Sequence, residues 1–233
     1  NPPGLHPSEP NYIWMEAGDN FGIANDGDPT RPANQLKGKD HFTRQLDKKG
    51  ISWASYQEDI SGADCPLSTQ QHYAPKHNPF VFFDDVTDNF SPDSPSCIRH
   101  IRPFAELGPA LSAPNLPKYI FITPNQCNDM HDTCLPLRDR IKQGDQWLEH
   151  VVPALMASTG YQRNGAIIIT WDEGVPGDGP IGMIVLSPRA KGNGYTNTIY
   201  YTHGSLLRTL EENLDLPLLG DANRQKNLED LLQ

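Results

Sequence analysis

Asp172 and Glu173 are adjacent carboxylates placed directly after an apolar run, in Ile168-Ile169-Thr170-Trp171-Asp172-Glu173-Gly174. Oxygen donors paired in this way suit a hard divalent cation. The bland alternative is an acid pair that caps the next element. A second cluster, Pro124-Asn125-Gln126-Cys127-Asn128-Asp129-Met130-His131-Asp132, follows another apolar run. Asn, Asp and His in one short stretch supply metal ligands, phosphate donors or a general acid. Read without function, the same stretch is a polar turn with Asx motifs. The third cluster is His6-Pro7-Ser8-Glu9-Pro10-Asn11-Tyr12, in which two prolines restrict the backbone around Ser8. A serine hydroxyl is a weak nucleophile until a base or a metal lowers its pKa. His77, in Lys76-His77-Asn78-Pro79-Phe80, and His203, in Tyr201-Thr202-His203-Gly204-Ser205, complete the set. His41, His72, His100 and His150 have no such context.

These residues need elements to position them. Residues 11–16 read as a strand or the first turn of a helix, and residues 17–38 as loop, rich in Gly, Asp, Asn and Pro. Asp40 is placed to cap a helix over about 41–48 that stops at Gly50. Ile51–Tyr56 resembles a strand, and residues 57–100 a long excursion or small cap. Lys118–Thr123 has the apolar run of a buried strand. Trp147, Leu148, Val151, Val152, Leu155 and Met156 put an apolar stripe on one face of a helix over 144–158. Ala166–Trp171 is apolar enough to be central in a parallel sheet. Pro180–Leu186 follows as a strand, and His203–Leu214 as a helix with Leu206, Leu207 and Leu210 inward. Alternating strands and helices predict an α/β class, with function at the carboxyl ends of the strands.

The 233 residues suffice for one domain. With 22 prolines and 19 glycines, long ordered loops between short elements are expected. No apolar run approaches the ~20 residues of a membrane span. A formal net charge of −10 argues against nucleic acid as a default partner, although a bound cation can reverse the local field for a phosphate substrate. Four cysteines, Cys65, Cys97, Cys127 and Cys134, match no zinc ligand set. Their even number and the glycosylation sequon Asn89-Phe90-Ser91 predict an oxidising compartment, secreted, extracellular or periplasmic. Of three possible connectivities, Cys127 with Cys134 and Cys65 with Cys97 is the expected one.

The motifs taken in order resemble the phosphoesterase family that contains bacterial phospholipases C and metal-dependent acid phosphatases, a branch of the alkaline phosphatase superfamily. The match runs from His6–Tyr12 through Trp53-Ala54-Ser55-Tyr56, Lys76–Phe80, Asn128–Asp132 and Gly144–Leu148 to Thr170–Gly174 and Tyr201–Thr209. The resemblance implies a three-layer α/β/α sandwich with a largely parallel central sheet and long loops. It implies Ser8 as the residue that attacks phosphorus and touches a metal, and Asp172 and Glu173 as the acidic metal pair. Asn11 and Asp129 take substrate-side positions, and His77, His131 and His203 catalytic ones, with His77 and His131 for phosphate binding or leaving-group protonation. The implied cofactor is a divalent metal ion (calcium, magnesium or zinc). Family members usually carry a Glu-Asn metal pair on a strand upstream of the nucleophile. Glu16 and the Asp19-Asn20 pair lie downstream of Ser8, so that role is not transferred to them, and a preceding segment is expected.

The leading expectation is therefore a secreted metal-dependent phosphatase acting on phosphate monoesters through a phosphoserine. A phospholipase C-type phosphodiesterase, taking a phospholipid head group, is the first alternative; it needs an apolar rim, for which Trp14 and Phe21 are candidates, although both read first as core residues. An inactive secreted binding protein that keeps the fold is the second.

Overall fold

The computed structural model describes residue 2, residues 4–174 and residues 180–233; Asn1 and Pro3 of the amino terminus lie outside the described residues. Helix α1 spans Ser8–Ala17, so the segment left open between strand and helix is helical and starts at the serine itself. Pro10 is tolerated because first-turn N–H groups have no intrahelical acceptor. Gly18 ends the helix at φ 68°, with its N–H donated to the Trp14 carbonyl. A Cβ there would sit 2.8 Å from the Leu219 carbonyl oxygen, so conformation and space both demand glycine. Helix α2 is Phe42–Lys49, and the residue at its N-cap is His41, with the ring beside the Arg44 N–H. Asp40, expected in that role, lies on the exposed side and pairs with Arg44 and Lys48.

Strands β1 (Trp53–Gln57), β2 (Ile101–Pro103) and β3 (Tyr119–Thr123) form a parallel sheet in the order β2-β1-β3. Helices α3 (Pro95–His100) and α4 (Leu107–Leu111) flank β2 in sequence. Side chains alternate across a strand, and here the alternation separates two apolar layers. Trp53, Tyr119 and Phe121 pack with Ile13, Phe42, Leu46 and Leu207. Ala54, Tyr56, Ile120 and Ile122 face Leu107, Leu111 and Leu155. Leu155 belongs to α5 (Arg140–Ala157) and Leu207 to the last helix, so helices cover both faces and the α/β class holds. The excursion over 57–100 supplies four consecutive core residues, Phe80 to Phe83, none of them exposed.

The run expected to be central in a parallel sheet behaves differently. After the short α6 (Thr159–Gln162), strand β4 is Ile167–Thr170 and pairs antiparallel with β5, Met183–Leu186, as a two-stranded sheet. All four β4 residues are only half-buried. An apolar run reports a tendency to be buried and carries no information on partner direction; antiparallel pairing needs only a short return, whereas parallel pairing needs a crossover of about a dozen residues or more. Helix α7, His203–Asn213, closes against α1 with Leu207 fully buried and Leu206 and Leu210 half-buried.

Two disulfides, Cys65–Cys97 and Cys127–Cys134, match the expected pairing. The first closes a separation of 32 residues; constraining such a loop in the unfolded chain contributes about 3–4 kcal/mol.

Ionisable groups are buried beside these layers. Glu16 Oε1 accepts from the Thr43 N–H (2.7 Å) and the Thr43 hydroxyl (2.6 Å) and meets His41 Nδ1 at 2.9 Å. His41 Nε2 lies 2.9 Å from Asp85. Burial opposes charge on His41, but hydrogen bonds and charges from Asp85 and Glu16 outweigh it and hold its pKa above the usual value. Burial pushes Glu211 and Glu9 up to about 8. A raised pKa, in an acid or a base, means that the folded chain holds a proton the unfolded chain releases earlier. The Glu9 and Glu211 contributions are lost as pH rises from about 4.5 to about 8, and the His41 contribution as pH rises above 6.5 through its folded value. His203, pushed down to about 4 chiefly by burial, acts oppositely below 6.5. Thermal melts across pH should therefore give a Tm maximum in the mildly acidic range and a fall towards pH 8.5. A Tm that rises steadily through pH 8 would contradict these assignments.

Candidate functional site

Ser8 is the first residue of α1 and is 6% exposed, at the end of the helix where N–H groups and the macrodipole favour negative charge. Its helix is clamped by the residues around it. Asn11, one turn along, is fully buried and donates from Nδ2 to the carbonyls of Leu5 (2.9 Å) and Pro7 (3.1 Å) and to Glu173 Oε2 (2.9 Å). That last bond joins helix α1, which begins at Ser8, to the acidic pair across 162 residues of sequence. His6 Nδ1 lies 2.8 Å from the same oxygen.

The Asp172–Glu173 turn is tight: the Glu173 N–H donates to Asp172 Oδ1 at 2.8 Å. Burial raises the Glu173 pKa, the Asp172 charge adds to the rise, and His6 offsets part of it. His203, 1% exposed at the start of α7, hydrogen-bonds through Nε2 to the Asp172 carbonyl. A carbonyl only accepts, so Nε2 carries the proton and the lone pair of this neutral ring is on Nδ1. A histidine held through one nitrogen by a backbone carbonyl is the arrangement found in metal-ligating histidines.

The other half of the site comes from two loops. His77 closes a 3₁₀ turn over Pro75–His77, 4% exposed. Its carbonyl accepts from Thr123 Oγ1 at the end of β3, and Thr123 also accepts from Gln57 at the end of β1. His77 Nδ1 lies 3.0 Å from Asp129 Oδ2, and its ring stacks on Tyr12 of α1 at 5.1 Å. Tyr12 is driven well above the usual phenol range by burial first, then by the charges of Asp172 and Asp129. The loop bearing Asp129 and His131 is fixed from below. Glu58 accepts from the Asn125 N–H, the Asn128 amide and the Trp147 indole, each within 2.9 Å. Gln143 of α5 donates to the Cys127 carbonyl and accepts from the Cys134 N–H, bracketing the disulfide.

All eight residues singled out from the sequence thus border the first two turns of α1 or groups that contact them. His131 is the most open, with 41% of its side chain exposed. Sequence reasoning missed His6, Tyr12, Lys76 and Asp26. Lys76 Nζ lies 3.1 Å from His131 Nε2 and 3.3 Å from Asp26 Oδ2, and Asp26 Oδ1 accepts the Glu9 N–H at 3.0 Å. The signal for Lys76 was its place beside His77; Asp26 in a Gly- and Asp-rich loop had none.

The donor set fits a divalent cation. Asp172 and Glu173 supply anionic oxygens, and Asn11 Oδ1 is buried with no hydrogen-bond donor, an orphan that a cation would satisfy. A second grouping, His72 with Cys127 and Cys134, brings its ligand-type atoms within 4.8 Å, but both sulfurs are bonded to each other and offer no thiolate.

Comparisons with known proteins show the family. The profile of the Phosphoesterase family matches residues 3–179. A phosphate-repressible acid phosphatase of Penicillium chrysogenum is 34% identical over 234 residues, 96% of this chain and 53% of its own length. An acid phosphatase of Aspergillus fumigatus is 33% identical over 92% of this chain and 47% of its own length. A phosphatidylinositol-3-phosphatase of Mycobacterium tuberculosis is 30% identical over 97% of this chain and 68% of its own length. The chain spans about half the length of the fungal relatives. With motifs, site geometry and profile in accord over most of its length, the chain belongs to the phosphoesterase family.

Proposed function

We propose that this chain is the hydrolytic part of a metal-dependent phosphatase that cleaves phosphate monoesters through a phosphoserine at Ser8. The observation that carries the reading is the Asn11–Glu173 hydrogen bond, which holds the serine-bearing helix end against the acidic pair. The names of the fungal relatives support the acid phosphatase class, and the mycobacterial one supports a phosphorylated lipid head group as a substrate variant. Two disulfides support a secreted or other oxidising location.

Asp172, Glu173 and Ser8 would hold the divalent cation, which when bound supplies charge neutralisation for the phosphate and polarises oxygen. The chain's own residues do the rest. The N-terminus of α1 presents Ser8 Oγ and partial positive charge to the phosphoryl group. Ser8 Oγ bonds to phosphorus as the bond to the leaving oxygen breaks, and the Ser8 proton departs to solvent. Asp129 Oδ2 lies 3.0 Å from His77 Nδ1, a carboxylate placed to favour the doubly protonated ring, and in that form Nε2–H would protonate the leaving alkoxide and leave a neutral imidazole. Water then attacks the phosphoserine, releasing phosphate and restoring the hydroxyl. Asn11 orients Glu173, and the neutral His203 supports the acidic turn from its carbonyl side.

Ser8→Ala should reduce p-nitrophenyl phosphate turnover by at least about a thousandfold while leaving the melt intact. Wild-type-like turnover in that variant would remove Ser8 as nucleophile. Faster release from p-nitrophenylphosphorylcholine than from the monoester would favour the phosphodiesterase alternative. Elemental analysis should find divalent metal in the wild-type protein, and chelation should lower its Tm. In Asp172→Asn/Glu173→Gln both the metal and the chelator effect should be gone; retention of metal by that double variant would place the ion elsewhere.

A further inference from the structure

The site just described has a charge problem for an anionic substrate. Asp26, Asp129, Asp132, Asp172 and Glu173 all lie in or beside it. Among the described residues, Lys76 is the one lysine or arginine hydrogen-bonded to any of the site side chains. Its side chain is only 17% exposed, so the ammonium is withdrawn from bulk water. It follows directly on the buried Pro75 and precedes His77 in the same 3₁₀ turn.

We propose that Lys76 is a substrate-binding residue that contacts the phosphate oxygens and positions His131; this rests on the reading of the site as one for phosphate esters. Two hydrogen bonds fix where the ammonium sits. Asp26 Oδ2 holds it at 3.3 Å, and the other oxygen of Asp26 caps the Glu9 N–H, the peptide next to Ser8. The same carboxylate therefore ties the lysine to the nucleophile end of α1. On the other side, His131 Nε2 lies 3.1 Å away. An ammonium has only protons to give, so Nε2 is the acceptor, and the ring proton must be on Nδ1, which faces Asp132 Oδ1 at 2.7 Å. His131 is thus oriented at both nitrogens and presents no free N–H. Lys76 has three protons and uses two, leaving the third for a ligand oxygen. An ammonium held by one carboxylate and one neutral ring keeps its positive charge available to an anion, as a lysine salt-bridged on several sides would not.

The test is direct binding of inorganic phosphate to the full chain, by calorimetric titration, beside steady-state kinetics. Lys76→Met should weaken phosphate binding and raise KM for p-nitrophenyl phosphate by about tenfold or more, the loss expected for one charge-assisted hydrogen bond. The effect on kcat should be smaller, and Lys76→Arg, which restores a cation, should recover most of the phosphate affinity. A purely structural lysine predicts a lower Tm with unchanged phosphate affinity, and that result in folded Lys76→Met would overturn the proposal. If neutral variants do not fold, phosphate titration of the wild type followed by NMR of the His131 ring decides. Movement of its Nε2 signal is expected, and an unmoved ring would sink the assignment. Loss of phosphate affinity in Lys76→Met with unchanged turnover in Ser8→Ala would leave an anion site standing and remove the phosphoserine reading instead.

Discussion

Everything at the site depends on the Asn11 amide. It sits one turn into α1, fully buried, and its two N–H groups serve the chain just before the helix and the Glu173 carboxylate. A side-chain amide donating to a carboxylate makes a charge-assisted bond, roughly twice as strong as a neutral one, and burial prevents water from replacing it. Leu5 and Pro7 are fixed by the same side chain, so the approach to Ser8 and the acidic turn share one anchor. A loop alone would not hold these groups in register across so much sequence.

That anchor is useful only because α1 itself cannot move. Ile13 is completely buried, and Glu16 at the far end is held by Thr43 and His41. Gly18 then allows the chain to pass against Leu219 and Asp221 without room for a side chain. The helix is therefore fixed at its N-terminal end by functional contacts and at its C-terminal end by a buried polar network. Burying carboxylates there is costly unless they are bonded or neutral, and the raised Glu211 and Glu9 pKa values show that neutrality is part of the solution. The interior is consequently suited to mild acid.

Much of this was legible in the sequence, for physical reasons that differ by residue. The acidic pair stood out because a strand pattern ends directly before it, and the even cysteine count pointed to disulfides, whose observed pairing is the one preferred among three possible connectivities. The helix α5 stripe was readable because its period is set by helical geometry. Ser8 rested on motif resemblance, since nothing local distinguishes a serine between two prolines. The partner of β4 was not readable, because pairing direction is decided by connection and packing rather than by apolarity. Asp40 was preferred to His41 as a cap on residue type, yet His41 was drawn inward by Glu16, Asp85 and the Phe83 ring stacked 4.0 Å away. Tertiary contacts overrode a local preference there. Asp26 and His6 were invisible for a simpler reason, since each makes its contact with a residue distant in the chain, while Lys76 had only its place beside His77 as a signal.

The two site histidines show how ring nitrogens assign roles that residue type cannot. His77 has Nδ1 3.0 Å from Asp129 Oδ2 and its ring stacked on Tyr12. His131 has Nδ1 on Asp132 and Nε2 on Lys76, so both of its nitrogens are occupied. A proton donor needs an N–H aimed at the departing oxygen, and with both His131 nitrogens engaged the proposed acid is His77 in its doubly protonated form. His131 instead transmits position, from the disulfide-held loop to the lysine and through Asp26 to the peptide beside Ser8. The sequence could nominate both rings for acid catalysis, but the neighbours of their nitrogens separate the one that can give a proton from the one that holds a cation in place.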